Sequence, residues 1–416
     1  MRNNDILSRL TIICLTYNRH EFIRRQIAYF YDCPVNLRFM DGSMTSIKLD
    51  DTNLKSGQLK WSYQHFPDLN YYERLLLASE EVETEFICLL PDDDILFKTG
   101  LETAINNLDN CKDLQFGGGK VARIISLSNN IGFCRDYYWS DNLLISFEDI
   151  SERLHKMISL KRTANIYYVV GRTAVFKGIY KAATKFEFSY ASSIELIITG
   201  LSVINSKYIT GDYPFWFRGL EPSIDQSLYS KGLNAQTWYT QYLDEVEIVK
   251  NIIGSALEEQ EYSKYEALEI SNKFFGIHHS QHLGISYVDV SKSPKYKSTL
   301  INSPILNLIK LIKSKIRFKY QIYKLLVKFK FIQNISVFIF GKEKLLEFVI
   351  IREYGIEQYN IKSKEYNPSD IIGFWKSQGV SLTEEQEMDL INIKNLVEKF
   401  PNGIMSNEEL FKYLKN

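Results

Sequence analysis

Short apolar runs alternate with amphipathic stretches over residues 10 to 108. The apolar runs are rich in β-branched and aromatic residues and are five to seven residues long, which is typical of buried strands. The predicted strands are Leu10–Thr16, Val35–Met40, Leu59–Tyr63 and Phe86–Leu90, and the predicted helices are Glu21–Phe30, Asn70–Glu81 and Lys98–Leu108. Because strands that alternate with helices form βαβ units, the pattern predicts a parallel sheet covered by helices on both faces.

Between residues 114 and 217 the pattern consists of strand-like pieces, an apolar helix and a longer strand. The predicted strands are Leu114–Phe116, Lys120–Ser126, Ile131–Trp139, Tyr167–Val170 and Ser206–Phe217, and the predicted helix covers Phe188–Gly200. Three glycines, Gly117 to Gly119, precede Lys120. A phosphate-binding Walker loop would need Ser or Thr after the lysine, and Val121 follows instead. The glycines are therefore predicted to form a flexible turn.

Beyond residue 225 the periodicity is helical, with amphipathic segments at Tyr242–Leu257 and Tyr262–Phe275. His278, His279 and His282 follow the second segment. They have no carboxylate partner in register, so we expect packed or surface histidines here and not metal ligands.

One stretch concentrates positive charge. The whole chain carries 50 basic and 50 acidic residues, but Val290 to Lys342 contains twelve Lys or Arg and no Asp or Glu. Apolar residues recur at helical spacing from Ile305 to Phe331, with lysines and arginines largely on the opposite side. A basic amphipathic helix of this kind suits an anionic membrane surface, and its large aliphatic face favours lipid. Nucleic-acid binding and ordinary packing against a core are the other interpretations.

Composition places the chain among packed globular proteins. Its 416 residues are 45% hydrophobic and 14% aromatic, enough for two or three domains. No uncharged run reaches the roughly 18 residues that a membrane span requires, and the N-terminus does not have the pattern of a signal peptide. The five cysteines form no CxxC pair, and Cys14 and Cys88 lie in apolar runs. We therefore expect a reducing, cytoplasmic location.

Three adjacent acids, Asp92, Asp93 and Asp94, follow the predicted strand that ends before Pro91. Ligands of open α/β sheets bind at the carboxyl ends of the strands. Three neighbouring like charges raise one another's pKa unless a cation neutralises them. Mg²⁺ or Mn²⁺ could do so, because such ions bind through one or two carboxylates together with substrate phosphates. A solvated acidic turn is the alternative.

Three motifs together carry a resemblance. Thr16-Tyr17-Asn18-Arg19 after the first strand, Asp41-Gly42-Ser43 after the second and the acidic (DxD-type) triplet after the fourth resemble the GT-A glycosyltransferases of the family 2 type. The likeness is greatest to bacterial members used in surface-polysaccharide assembly. It implies a GT-A fold, which is a Rossmann-like mixed sheet with helices on both faces, followed by a mostly helical C-terminal region. The expected divisions are 8–225 for the glycosyltransferase domain, 226–290 for a helical extension, 291–342 for the basic membrane-surface segment and 343–416 for a small helical cap.

The resemblance also implies roles for residues in a crevice that holds a nucleotide-sugar donor. Thr16, Tyr17, Asn18, Arg19 and Asp41 would hold the nucleobase and ribose. Asp92 and Asp93 would contact the ribose, and a divalent cation on Asp94, helped by Asp92, would bind the diphosphate. Arg74 and Arg218 are further donor-binding candidates because arginine binds phosphate well.

A base must also take a proton from the acceptor hydroxyl. Inverting members of the resembled family place an acid near a helix start at this point of the chain, and Glu195 occupies that place. A charged residue between Ile194 and Leu196 is not what packing alone would select. Glu187 and Asp212 are the alternatives.

The sequence differs from the family pattern in three places. Gly42 stands where a second acid is usual, no Asp follows Glu195, and no His ligand is found near Arg218.

These observations predict an inverting, metal-assisted glycosyltransferase of the bacterial cytoplasm that is peripheral on the inner membrane face. Its partners would be a nucleotide-sugar donor, a glycan or lipid-linked acceptor and anionic lipid, with no nucleic acid. A sugar nucleotidyltransferase is one rival, but the first turn lacks the expected glycines. A non-catalytic binding protein with a GT-A shell is another, and the intact acidic triplet argues against it.

Overall fold

A computed structural model describes residues 6–49, 57–127, 130–135, 144–145, 147–159, 163–190, 192–219, 235–283, 370–400 and 406–415. The strands are β1 Leu10–Thr16, β2 Asn36–Asp41, β3 Lys60–His65, β4 Phe86–Pro91, β5 Ile95–Leu96, β6 Leu114–Leu127, β7 Asn130–Arg135, β8 Leu144–Ile145, β9 Val170–Arg172 and β10 Lys207–Arg218. The α-helices are α1 His20–Phe30, α2 Tyr71–Glu80, α3 Lys98–Asn110, α4 Ile150–Ser159, α5 Thr173–Ala183, α6 Ser192–Asn205, α7 Ala235–Gln241, α8 Leu243–Glu258, α9 Lys264–Leu283, α10 Ile371–Ser377, α11 Glu384–Lys399 and α12 Asn407–Lys415. Two 3₁₀ helices cover Ile6–Arg9 and Thr163–Tyr168.

The strands form a single mixed sheet in the order β3-β2-β1-β4-β9-β6-β10-β5, with β7 added on β6 and β8 on β10. Strand β1 lies between β2 and β4 and is parallel to both. Every residue of β1 is buried, which explains its continuous apolar run, because a strand covered on both faces needs no polar side. Helices pack against two apolar clusters, one on each side of the sheet.

The parallel pairing that the alternation of strands and helices predicts is confirmed for β1 to β4, but the complete sheet is mixed. Strand β9 is antiparallel to both β4 and β6, and β5 and β8 are antiparallel to β10. These strands are only two or three residues long, too short to give the periodic signal from which the parallel units were predicted. The mixed α/β sheet with helices on both faces and further helices at the C-terminal end, which the resemblance implied, is confirmed.

The predicted flexible turn at the three glycines is wrong, because Gly117 to Gly119 lie inside β6. The neighbouring β10 changes register between Thr210 and Pro214, which brings its backbone close to β6. A Cβ atom on Gly119 would lie 2.6 Å from the Tyr213 carbonyl oxygen. Glycine is required here by the approach of another backbone, and it does not mark a turn.

The predicted strand over Tyr167–Val170 is wrong in its first half. Residues Thr163–Tyr168 form a 3₁₀ helix, and only Val170–Arg172 pairs in the sheet. Ile166 and Tyr167 are consecutive and both are buried. In a strand with one solvent-exposed face, one of two consecutive side chains would point to solvent.

The C-terminal helices α10 to α12 belong to the same apolar cluster as β1 and α3. Their buried residues include Trp375, Ile393 and Leu410. Within the described ranges, every helix is too short or too polar to cross a lipid bilayer. The predicted basic segment at 291–342 lies outside the described residues.

Candidate functional site

The register of the parallel strands brings the three predicted motifs to one edge of the sheet. Thr16 at the end of β1 pairs with Asp41 at the end of β2, and Leu15 pairs with Pro91 at the end of β4. The Thr16 hydroxyl donates to Asp92 Oδ2 at 2.8 Å. The first turn, the second turn and the acidic triplet therefore form one polar edge.

Arg19 neutralises part of the triplet. Its guanidinium lies 2.9 Å from Asp92 Oδ1 and 3.2 Å from Asp93 Oδ2. Burial, together with the charge of Asp93, raises the pKa of Asp92 to about 6, although Arg19 and the Thr16 hydroxyl lower it. A half-neutralised carboxylate pair of this kind favours the binding of further positive charge.

Asp94 is held by strand β10. Trp216 Nε1 donates to Asp94 Oδ2 at 2.8 Å, and the Gly219 amide donates to Oδ1 at 2.7 Å. Burial and the charge of Asp93 raise the pKa of Asp94 well above its usual range, and the charge of Arg218 opposes them. Because Arg218 also lowers the pKa of Glu195, it lies within electrostatic reach of both acids.

Two residues of α1 that sequence reasoning missed fix the backbone of the triplet. Gln26 Nε2 donates to the carbonyls of Asp92 and Asp94 at 3.0 and 2.5 Å, and Arg25 donates to the Asp93 carbonyl at 2.6 Å. Both side chains are buried. The only sequence signal was an Arg and a Gln on the side of the helix that faces the core.

Asp41 organises the second turn from inside. It is fully buried and accepts hydrogen bonds from the Ser43 amide at 2.8 Å, from the Ser43 hydroxyl, from Tyr63 at 2.6 Å and from His20 at 2.7 Å. Burial raises the pKa of Asp41, but these hydrogen bonds outweigh burial and the pKa is lowered. Ser43 in turn accepts from the amide of Asn18, which has a positive φ of 54°. Asp41 thus reaches the first turn through Ser43.

Arg74 is buried beneath the two turns. Its Nη1 donates to the carbonyls of Thr16 and Met40 at 2.8 and 2.7 Å. A Cβ atom on Gly42 would lie 2.6 Å from Arg74 Cζ, so glycine at this position makes room for the guanidinium. This contact gives a physical reason why the usual second acid is absent.

Two cavities lie along this edge and share Tyr71 and Tyr168 as lining residues. The smaller cavity, of about 180 Å³, is lined by Arg19, Asp92 and Asp93 among others. The larger cavity, of about 530 Å³, falls in the size range of small-molecule sites. Besides the shared tyrosines it is lined by Tyr17, Gly42, Pro67, Asp68, Leu69, Asn70, Tyr72, Arg74, Tyr167, Glu187, Phe188, Ile194 and Glu195. We call the two together the crevice.

Glu195 lies in the first turn of α6 and faces the larger cavity. Its neighbours Ile194 and Leu196 are buried, whereas Glu195 itself is half-buried. Burial raises the pKa of Glu195 to about 7, and Arg218 and a 3.5 Å hydrogen bond from the Tyr168 hydroxyl lower it. A carboxyl group with such a pKa can exchange protons near neutrality.

The two alternative bases occupy different surroundings. Glu187 lines the larger cavity together with Glu195 and is exposed. Asp212 lies 2.8 Å from Lys120 Nζ in an ion pair and lines neither part of the crevice.

The carboxylates of the acidic triplet would need further ligands from a substrate to hold a divalent cation. In the described part of the chain, no group of three His, Cys, Asp or Glu residues is arranged to hold a metal ion. Two neighbouring carboxylates supply the hard oxygen ligands that Mg²⁺ or Mn²⁺ prefers, and phosphate oxygens of a substrate would complete the coordination. His278 is engaged elsewhere, with its Nδ1 2.7 Å from the Tyr239 hydroxyl, and His279 stacks on the Tyr239 ring.

No family model matches the chain, and no curated protein matches it in sequence. Solved structures similar to it include those of S. aureus TarS. Residues 1–349 of TarS in complex with UDP-GlcNAc align with a TM-score of 0.43 and 15% identity, over 65% of this chain and 72% of that one. TarS 1–349 in a further structure gives a TM-score of 0.43 and 13% identity over 95% and 91%. A longer TarS structure gives 0.41 and 16% over 65% and 43%. At these values the likeness is distant, and evidence for function comes from the site residues of this chain.

Proposed function

We propose that this chain is a GT-A glycosyltransferase that moves a sugar from a nucleotide-sugar donor to a hydroxyl of a glycan or lipid-linked glycan in bacterial surface-polysaccharide synthesis. The observation that carries the proposal is the crevice. It joins a buried acidic cluster paired with Arg19 to a carboxyl group, Glu195, whose pKa is about 7. Both features suit glycosyl transfer, because a cation bound by the acids would stabilise the leaving diphosphate and a carboxylate would accept the proton of the acceptor hydroxyl.

The acidic end of the crevice would bind the donor diphosphate. Arg19 and Arg218 supply positive charge beside Asp92 and Asp94. Asp94 and Asp92 would hold a divalent cation, which would stabilise the charge that develops on the leaving diphosphate. The larger cavity, with Tyr17 and several other aromatic residues, would take the nucleoside and sugar portions.

Glu195 would act as the general base. Its carboxylate would accept the proton of the acceptor hydroxyl as that oxygen bonds to the anomeric carbon, while the bond from that carbon to the diphosphate breaks. Attack on the face opposite the leaving group inverts the anomeric configuration, so we propose an inverting transfer.

The test is nucleotide release from a panel of UDP-, GDP-, dTDP- and CMP-sugars with Mg²⁺, Mn²⁺ or chelator. We expect Asp94→Ala to lose donor binding. We expect Glu195→Gln to keep donor binding while its transfer rate falls by about 100- to 10,000-fold, the usual contribution of a general base. Glu187→Gln is the matched control, because it also lines the cavity, and it should retain most activity.

Full activity in both Asp94→Ala and Glu195→Gln would remove this site assignment. Nucleotide binding without turnover of any donor in the panel would instead indicate a binding protein. Formation of a nucleotide-sugar from a sugar phosphate and a nucleoside triphosphate would indicate a nucleotidyltransferase.

A further inference from the structure

The acidic loop, residues 92–97, is clamped between two elements that are far apart in sequence. On one side, its β5 portion pairs antiparallel with Trp216 and Phe217 of β10, and the Phe97 amide donates to the Phe215 carbonyl at 2.9 Å. On the other side, the buried side chains of Arg25 and Gln26 donate to three consecutive carbonyls of the loop. The position of the loop therefore depends on both α1 and the end of β10.

The C-terminal helices contact α1 directly. Asp389 of α11 accepts a hydrogen bond from the Tyr29 hydroxyl at 2.7 Å, and the same hydroxyl accepts from the Lys98 amide at 3.2 Å. The second oxygen of Asp389 lies 3.3 Å from both the amide and the hydroxyl of Thr99. One buried carboxylate thus joins α1 to the first residues of α3, which follow the acidic loop immediately.

A second contact from the C-terminal helices also holds α1. Asn407 of α12 accepts from Arg24 Nε at 2.8 Å and donates to the Lys48 carbonyl at 3.2 Å. Arg24 and Arg25 are consecutive in α1, so α12 binds the helix beside the residue that holds the Asp93 carbonyl.

The C-terminal helices also pack against the other side of the loop. The fully buried Trp375 of α10 lies 5.9 Å from the ring of Phe217 and 6.0 Å from that of Phe97, measured between ring centroids. Phe97 is the last residue of the loop, and Phe217 lies between Trp216 and Arg218 in β10. A single tryptophan therefore supports the segment that carries two of the side chains acting on Asp94.

We propose that helices α10 to α12 form a clamp that sets the position of the acidic loop, with Tyr29, Asp389 and Trp375 as positioning residues for donor binding. None of the three lines the crevice, so their effect passes through α1 and β10. This inference rests on the proposed role of the loop in donor binding. It implies that donor binding depends on the C-terminal helices, which are therefore not a separable addition.

The experiment uses the full chain with Tyr29→Phe and Trp375→Phe, which remove one hydroxyl and part of one ring. Tyr180→Phe is the matched control, because the Tyr180 ring is equally buried in the other apolar cluster and its hydroxyl has no hydrogen-bond partner among the described residues. Binding of UDP, GDP, dTDP and CMP is measured by calorimetry, and amide hydrogen exchange is followed in the peptide covering residues 92–97. We expect both clamp variants to bind the preferred nucleotide three- to tenfold more weakly, to raise the donor KM more than they lower kcat, and to exchange faster in the acidic loop.

The control should change none of these quantities. If exchange in residues 92–97 and nucleotide affinity stay at wild-type values while the unfolding temperature falls, the clamp only stabilises the fold and the inference is wrong. If exchange rises in the clamp variants but the wild type transfers no sugar from any donor, the effect of the clamp on the acidic loop is supported and the proposed glycosyltransferase function is wrong.

Discussion

Glu195 combines burial with access to the crevice, and this combination sets its pKa to about 7. The carboxyl group must be ionised to accept a proton, so transfer activity should rise as the pH increases through about 7. Tyr168 donates a hydrogen bond that stabilises the ionised form and lowers this pKa. Tyr168→Phe should therefore move the rise to higher pH, and profiles of kcat/KM against pH measure the shift.

Tyr180→Phe serves again as the control for loss of a buried hydroxyl, and its profile should superimpose on that of the wild type. An unchanged profile for Tyr168→Phe would show that Tyr168 does not act on Glu195. A uniform loss of rate at every pH would indicate that Tyr168 contacts substrate instead.

Single residues also show the limit of sequence reasoning. The register of parallel strands made it predictable that Thr16, Asp41 and Asp92 would lie at one edge, because strand ends in such a sheet coincide. The contact between Trp216 and Asp94 joins positions 122 residues apart, and no local pattern encodes such a pairing. Tyr168 was missed for the same reason, since its ring meets Trp216 through tertiary packing.

At the level of elements, β6 and β10 approach each other so closely that there is no room for a side chain at Gly119. Gly119→Ala places a Cβ atom 2.6 Å from a backbone carbonyl of Tyr213, which cannot rotate away. We expect this variant to lower the free energy of unfolding by about 1–3 kcal/mol, as overpacking does elsewhere. Denaturant unfolding followed by circular dichroism measures the change.

Gly178→Ala is the matched control, because Gly178 lies inside α5 with open space around its Cβ position. Alanine there should stabilise the chain by about 0.5–1 kcal/mol through its better helix propensity. If Gly119→Ala were equally stabilising, the backbones of β6 and β10 would not be in contact as described.

Element boundaries were predictable where one periodicity dominates. The structure places β1 at the predicted residues and α1, α2 and α3 within two residues of the predicted ends. Prediction failed where tertiary contacts override local preference. The glycines of β6 were predicted to form a turn because the sequence does not show that a neighbouring strand leaves no room for side chains there.

At the scale of the whole molecule, the acidic loop lies where distant parts of the chain meet. Residues near positions 25, 216 and 389 all act on it, through α1, β10 and α11. The described helices of the predicted 343–416 cap pack into the same apolar cluster as β1. The shared core favours cooperative unfolding of the sheet and these helices, because separating them would expose apolar side chains of both.

The predicted membrane contact also concerns the whole molecule, because a lipid-linked acceptor and the crevice would have to meet at one surface. Changing Lys313, Arg317, Lys324 and Lys328 to Glu reverses four of the twelve positive charges of the basic segment. We expect this variant to lose association with vesicles that contain anionic lipid, and we expect wild-type association to weaken as salt rises. Co-sedimentation with vesicles measures both effects.

The matched control makes four equal charge changes at exposed lysines of the described residues, Lys156, Lys181, Lys185 and Lys273. If binding depended only on net charge, this control would lose vesicle association as well, and the segment would have no special role. If the first variant still pelleted with vesicles, electrostatic attraction through these four side chains would be excluded. Loss confined to the first variant, with nucleotide release from the donor unchanged when a soluble acceptor is supplied, would separate membrane attachment from catalysis.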